Sequence, residues 1–462
     1  MKFFPLNYKS IDKTAEIFRR MPYRINDYSV GTKLIWKNTY HTQYAIFADC
    51  LILKNKVGKE TSFNYPIPIK SSADIDAALS EIERYANENF LPLIFTEIPK
   101  ACLASLLSRY DNAVYSSDVS NEDYLYHASD LAHFSGKHYS GQRNHIKKFD
   151  SLYPEAEFIK LSVADREKIL EFFDHFEYAA SKGESAEREM RYCKEFFAND
   201  FSHFCVGGMQ IGGKLISVSV GEICFDTMIN HIEKAMTEYE GVYPKTVCEF
   251  ANAFCSSCAY INREEDMGDM GLRRSKMQYR PVQKLKKYRV CPQNELSRFD
   301  KIPTIHTERL TLDEISKDDA LVYFKLSTDI DRNKFWGYDY RDDVKAPKTD
   351  YFVLDAKKDF ENKTAINFAI RHSGRMIGEI IIYDFDYHQT AEIGIRLSRR
   401  CEGHGYAKES LDAAEKFALC EMGLSSIRAR CAFENEKSRR LLSSLMTPCG
   451  ERDGYYLFER KI

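Results

Sequence analysis

The chain has little tryptophan, no long apolar run and almost no excess of charge. Two Trp stand among 462 residues, against 29 Tyr and 30 Phe, so its aromatic interiors must be built from phenyl and phenol rings. No apolar stretch approaches the roughly 20 residues that a helix needs to cross a bilayer, and no membrane insertion is expected. The opening MKFFPLNYKSIDK lacks the long apolar centre of a signal peptide, and a cytoplasmic protein is expected. A formal net charge of -3 gives no global pull towards nucleic acid or anionic lipid. Such binding would need a local basic patch, and no DNA partner is expected. Cysteine is present, 13 residues in all, but most lie inside apolar runs and read as small buried hydrophobes. Cys255 and Cys258 have metal-ligand spacing, yet no second CxxC or His pair accompanies them. They read as two residues of a packed helix, and no metal is expected.

What is present is ordinary soluble composition, 44% hydrophobic and 29% charged, in a chain too long for one core. PQNELSRFDKIP at 292–303 is polar, carries proline near both ends and follows a basic run, which places the main boundary there. Downstream, the hydrophobic periods give β-α-α-β-β-β-α-β-α-β, an α/β order with short polar turns. Upstream, alternating strand and helix patterns run twice, with KLIWKN and AIFADCLILKN read as the first strands. The expected domains are 1–292, in halves of about 1–152 and 153–292, and 303–462.

Between the fourth downstream strand and the third helix lies RRCEGHGYAKE, residues 399–409. Gly403 and Gly405 have no Cβ to hold the backbone away, so successive N–H groups at a helix start can point at a pyrophosphate, with Arg400 as a cation at the rim. GHGYAK lacks the third glycine of a dinucleotide fingerprint, and the chain has no Gly-Lys-Ser/Thr of a P-loop. A second short motif, Asn435 to Ser438 in AFENEKSRRLL, follows the fifth strand. With these two motifs, R-x-x-G-x-G and N-x-x-S, the region 303–462 resembles the GCN5-related N-acetyltransferases (GNAT), and within them the ribosomal-protein N-terminal acetyltransferase type. The resemblance implies acetyl-CoA as co-substrate. Ile395, Leu397, Arg400, Gly403, His404, Gly405, Tyr406, Ala407 and Asn435 would then line its site, and a primary amine of a small molecule or peptide would be the acceptor.

Such a reaction needs an amine deprotonated and held against a thioester carbonyl. The period of two along AEIGIRL puts Glu392, Gly394 and Arg396 on one face. Glu392 is the candidate base, with Glu379 as a rival and a solvated strand carboxylate as the plainer alternative. Many relatives protonate the leaving thiolate from a tyrosine in the last helix; none stands there, and Ser438 is the nearest hydroxyl by motif. The loop NKFWGYDYRDD sets Trp336, Tyr338 and Tyr340 among Asp339, Asp342 and Asp343. That composition suits a cationic acceptor and equally suits a solvated surface.

Residues 1–292 resemble the phosphatidylglycerol lysyltransferase C-terminal-like family through DLAHFSGKHYSGQRNHIKKF, EYEGVYP and NREEDMGDMGLRRSKMQYRP. The family is built from two acyltransferase-fold halves, so three GNAT-like units are expected in the whole chain. The resemblance implies aminoacyl-tRNA as a possible donor. Asp266, Arg273 and Lys276, with Tyr243, are expected either to hold an amino-acid-like ligand or to form an internal ion-pair network. Lys137, His138, Arg143, His145, Lys147 and Lys148 ring a helix that is either an RNA-backbone patch or a solvated face. Gly241 stands at the helix start that corresponds to the glycine turn, between Glu238 and Glu240, and no coenzyme A is expected there.

Overall fold

The computed structural model describes residues 1–180, 183–336, 339–342 and 344–461. It holds three mixed sheets of eight strands each and divides into two compact units. One comprises Met1–Ala78, Ile94–Leu106 and Tyr115–Val290; the other comprises Leu79–Leu93, Leu107–Val114 and Cys291–Ile462. Each sheet is mixed, and none closes into a barrel.

The first unit carries two sheets whose membership does not follow a cut at 152. Strand Asp123–His127 pairs with Tyr260–Asn262 and Gln283–Leu285 in the second sheet, whereas Lys287–Cys291 returns to pair with Phe95–Pro99 in the first. The chain thus enters the second sheet early and leaves it late. KLIWKN, residues 33–38, expected as a strand, instead spans the end of one helix, Val30–Ile35, and the start of the next, Lys37–Tyr40. Ser29 caps the first by accepting from the Thr32 N–H at 3.4 Å, and burial on all sides there removes the alternation that would mark a strand. AIFADCLILKN forms two strands, Gln43–Phe47 and Cys50–Val57, parted by a turn with Ala48 and Asp49 at positive φ.

The C-terminal unit supplies the elements that position the site. In chain order they are β1 (Ile305–His306), β2 (Leu310–Glu314), α1 (Ala320–Thr328), α2 (Ile330–Asn333), α3 (Tyr351–Glu361), β3 (Ala365–His372), β4 (Arg375–Tyr383) and β5 (Thr390–Leu397). There follow α4 (Tyr406–Lys416), β6 (Ser426–Ala432), α5 (Glu436–Ser443), β7 (Thr447–Arg452) and β8 (Tyr455–Lys461). The sheet order is β1-β2-β3-β4-β5-β6-β8-β7. One face buries Ile380, Ile382, Ile393 and Leu397 with Leu411, Ala414 and Ala418 of the helix that follows β5. The other packs Ala369 and Met376 against Tyr323, Phe352, Val353 and Ala356 of α1 and α3. Period two in the strands and period 3.6 in α4 set these faces. The helix continues in a wider coil to Met422 and ends at Gly423, whose φ of +88° provides the left-handed residue a helix C-terminus favours.

Candidate functional site

The site begins with two parallel strands that part. β5 and β6 are paired only over Thr390–Glu392 and Ser426–Arg428. Beyond them β5 continues to Leu397 with β4 as its one partner, while β6 continues to Ala432 beside β8. Among the described residues, backbone groups between Ile393 and Leu397 that face β6 therefore have no strand partner, and an extended ligand can supply one.

At the far end of β5 the chain makes a short turn, Arg399–Cys401, and reaches Gly403 and Gly405 at φ +76° and +81°. Helix α4 starts at Tyr406 with Gly405 as its N-cap and no side-chain cap. None of the backbone N–H groups from Gly403 to Lys408 finds a partner among the described residues. A Cβ on Gly403 would meet nothing within 4 Å, so this row of donors opens outward. Arg400 is exposed beside it, and no carboxylate pairs with it among the described residues. A row of free N–H groups at a helix start, with a loose cation, has the donors and the charge that an anion needs, and the gap in the sheet leads away from it. This arrangement fits a long thioester carrying a pyrophosphate. Asn435 caps α5, accepting from the Ser438 N–H at 3.2 Å. The Ser438 hydroxyl lies against the Cys431 thiol, which burial pushes up.

The sheet face beside the gap carries the acid-base groups. Glu392 is at the point where the strands part. It accepts from the Tyr383 hydroxyl at 2.9 Å, its cross-strand neighbour, and lies 3.3 Å from Arg430 Nε. Burial, then the Glu392 charge, pushes the nearby Asp384 carboxyl up to about 6. Glu379 is 1% exposed. Its carboxylate takes Arg396 Nε at 2.6 Å and the Tyr323 hydroxyl at 2.5 Å, so the rival base is occupied in holding Arg396. Arg396 in turn donates to Asn333 Oδ1 at 2.6 Å and Ser327 Oγ at 2.9 Å, tying α1 and α2 to β5. The Trp336 ring lies 4.4 Å from the Arg396 guanidinium. A Cβ on Gly394 would come within 3.4 Å of that indole, so the glycine makes room for it. Trp336 thus shares the sheet face of Glu392. Tyr338 and Asp343 lie outside the described residues.

In the first unit, Asp266 is wholly buried and bonded at both oxygens: Arg273 donates from Nε at 2.7 Å and Nη2 at 2.8 Å, and Tyr124 from its hydroxyl at 2.6 Å. The Arg273 hydrogen bonds hold its carboxyl far below the usual carboxylate range. Lys276 donates to the carbonyl oxygens of Arg263, Glu264 and Glu265 at 2.6, 3.2 and 2.5 Å, and burial pushes its pKa down. Tyr243 packs instead in an apolar cluster with Phe149 and Met209. Asp266, Arg273 and Lys276 are thus each bonded within the chain.

The first unit also repeats the parting strands. Thr227–Ala235 pairs in parallel with Tyr260–Asn262 over Thr227–Ile229 only, and Gly241, at φ +88°, caps the helix Val242–Phe254. There, however, a Cβ on Gly241 would lie 2.3 Å from the His145 carbonyl oxygen. The helix Ser140–Leu152 covers that helix start, and Lys148 pairs with Glu240 at 2.7 Å.

Sequence reasoning missed Tyr383 and Arg430, which flank Glu392, and Arg309 and Glu409, which flank the glycine turn. Cross-strand register could have offered Tyr383; nothing local announces the others. Among the described residues no cluster of His, Cys, Asp or Glu is arranged for a metal ion, and no helix is long and apolar enough to cross a membrane.

Comparison with known proteins matches two successive stretches of the chain. Residues 309–445 match the acetyltransferase (GNAT) domain model. The uncharacterized N-acetyltransferase YnaD of Bacillus subtilis is 28% identical over 154 residues, 33% of this chain and 85% of its own. The uncharacterized N-acetyltransferase YoaA of the same organism is 26% identical over 143 residues, 30% of this chain and 80% of its own. A conserved protein of unknown function from Bacteroides thetaiotaomicron is similar in structure, with a TM-score of 0.58 and 27% identity over 63% of this chain and all of its own. Residues 18–291 match the model described as phosphatidylglycerol lysyltransferase, C-terminal. More than half of the chain lies in that match, so the protein belongs to this family, and it carries behind it the GNAT domain of an N-acetyltransferase.

Proposed function

We propose that the C-terminal unit transfers an acetyl group from acetyl-CoA to a primary amine of a small molecule or peptide. The observation that carries the reading is the row of free N–H groups from Gly403 to Lys408 opening beside the gap between β5 and β6. In this reading the N–H row, the α4 dipole and Arg400 hold the pyrophosphate. The unpaired edge of β5 between Ile393 and Leu397 aligns the pantetheine arm, and Asn435 fixes the start of α5 on the opposite side of the gap. Glu392, directly or through a water, takes a proton from the acceptor ammonium, so that the neutral amine meets the thioester carbonyl. Tyr383, already donating to Glu392, keeps that carboxylate oriented. Ser438 offers a hydroxyl towards the departing sulfur. Trp336 forms the acceptor wall, where an aromatic face favours a cation. Calorimetry with acetyl-CoA on the full chain tests the reading: saturable binding is expected, and its absence would remove it.

A second reading is favoured by the match at 18–291: aminoacyl transfer from charged tRNA by the first unit. It predicts binding that falls steeply with salt and weakens when Lys147 and Lys148 are replaced. A gel shift with charged and uncharged tRNA that shows neither would dismiss it, leaving the first unit as a non-catalytic substrate-binding module.

A further inference from the structure

Resting on the acetyl-CoA reading, we infer that Arg309 and Thr307 are positioning residues that keep Glu409 away from the glycine turn, so that the turn's N–H groups stay free for phosphate. The need follows from helix chemistry. A carboxylate in the first turn of a helix is within reach of the free N–H groups there, and at N3 it caps them in the capping box. Its charge also opposes any phosphate arriving at the same place. Glu409 is at N4 of α4, one residue past the capping-box position and still in the first turn. Left unrestrained, a carboxylate there competes with phosphate for the same donors.

Both carboxylate oxygens of Glu409 are instead occupied by partners outside the turn's N–H row. Oε1 accepts from the Thr307 hydroxyl at 2.6 Å and from the Arg309 backbone N–H at 2.9 Å. Oε2 accepts from Arg309 Nε at 2.7 Å and lies 2.6 Å from Nη2. Burial alone would raise this carboxyl, yet the Thr307 and Arg309 hydrogen bonds hold it below its ordinary value, so it stays charged and bound. The other end of the guanidinium serves the turn itself. Arg309 Nη1 donates to the His404 carbonyl oxygen at 3.0 Å, and the group stacks 4.8 Å from the Tyr406 ring. Nη2 would lie 3.3 Å from a Cβ on Gly405, so the glycine also admits the arginine. One side chain from the short turn between β1 and β2 thus neutralises the competing carboxylate and fixes the carbonyl between the two glycines.

The test compares acetyl-CoA with acetyl-pantetheine, which carries the same thioester and no phosphate, on the full chain. Arg309→Met frees Glu409, and the KM for acetyl-CoA should rise on the order of tenfold. The KM for acetyl-pantetheine and for the amine should stay within about twofold. Adding Glu409→Gln removes the charge, and the double variant should recover most of the lost affinity. Thr307→Val should shift acetyl-CoA in the same direction by a smaller factor, and serves if Arg309→Met does not fold. Three results overturn the inference while leaving the acetyl-CoA reading intact: unchanged acetyl-CoA KM in the single variants, equal loss of both donors, or no recovery in the double variant. Failure of the wild type to bind acetyl-CoA would instead remove the reading beneath it.

Discussion

Replacing Gly403 with alanine isolates the backbone contribution of the turn. The residue sits at φ +76°, and a Cβ there would touch nothing within 4 Å, so the change adds no clash and removes no contact. What it adds is the left-handed penalty for an L side chain, roughly 1–2 kcal/mol. The turn can relieve that penalty by relaxing locally, which makes the phosphate-competent conformation the minority state. The apparent Kd for acetyl-CoA then rises by the inverse of its population, on the order of 5- to 30-fold at 1.4 kcal/mol per factor of ten. Gly454→Ala is the control: φ is +86°, nothing lies within 4 Å, and the residue belongs to the turn between β7 and β8. It carries the same backbone penalty, so it should lower the melting temperature comparably and leave the Kd alone. Calorimetry on both variants, with thermal melts alongside, reads the two effects separately. Equal Kd for wild type and Gly403→Ala, at matched loss of thermal stability in the control, would refute the argument that the turn's geometry holds the ligand.

Four further outcomes are expected. Glu392→Gln should lower kcat by about 10²- to 10⁴-fold, the usual range for a lost general base, with the Kd for acetyl-CoA unchanged in calorimetry; a kcat within threefold of wild type would point elsewhere for the base. Trp336→Ala should raise the KM of the acceptor amine and spare that of acetyl-CoA, a split visible in steady-state kinetics. Asp384 has a folded pKa raised from 3.8 to about 6, so the fold favours its neutral form. Its stabilising contribution is present at low pH and is lost as pH rises through that window. Asp384→Asn should therefore raise the melting temperature at pH 7.5 relative to wild type and change it little at pH 4. Finally, titration of the full chain with acetyl-CoA should give one site, because the Val242–Phe254 helix start is covered by the His145 backbone; a stoichiometry near two would contradict that steric argument.

The C-terminal unit was largely legible because its signals are local. Gly403 and Gly405 need positive φ, α4 repeats apolar residues at helical spacing, and β5 alternates, so the turn, the helix and the Glu392 face could all be placed from short windows. Strand β7 escaped because all six residues of TPCGER are exposed. An edge strand paired on one side and covered on neither face has no reason to alternate. KLIWKN was misread for the opposite reason, since its first half lies in Val30–Ile35, where every residue is buried. The Arg309–Glu409 pair spans 100 positions, and no periodicity encodes such a contact. Asp266, Arg273 and Lys276 show how composition alone leaves two outcomes open: three charged residues near a glycine suit a ligand or one another, and here each is already bonded within the chain. The same blindness applies to sheet membership in the first unit, where the strand pattern restarts near 155 but the pairing had already switched sheets at Asp123.

That early switch has a consequence for how the chain is made. Strand Phe95–Pro99 waits for Lys287–Cys291 as its neighbour, and Asp123–His127 waits for Tyr260–Asn262 and Gln283–Leu285. On a ribosome delivering about 5–20 residues per second, the first sheet therefore stays with an unpaired edge while nearly 200 further residues emerge. Neither sheet can be completed as an independent half, and no break placed between residues 128 and 282 yields two whole ones. The two sheets are closed by the same nine-residue stretch from Gln283 to Cys291, which acts as a common clasp: its arrival, and not the folding of either sheet alone, ends the interval in which open strand edges are available for aggregation.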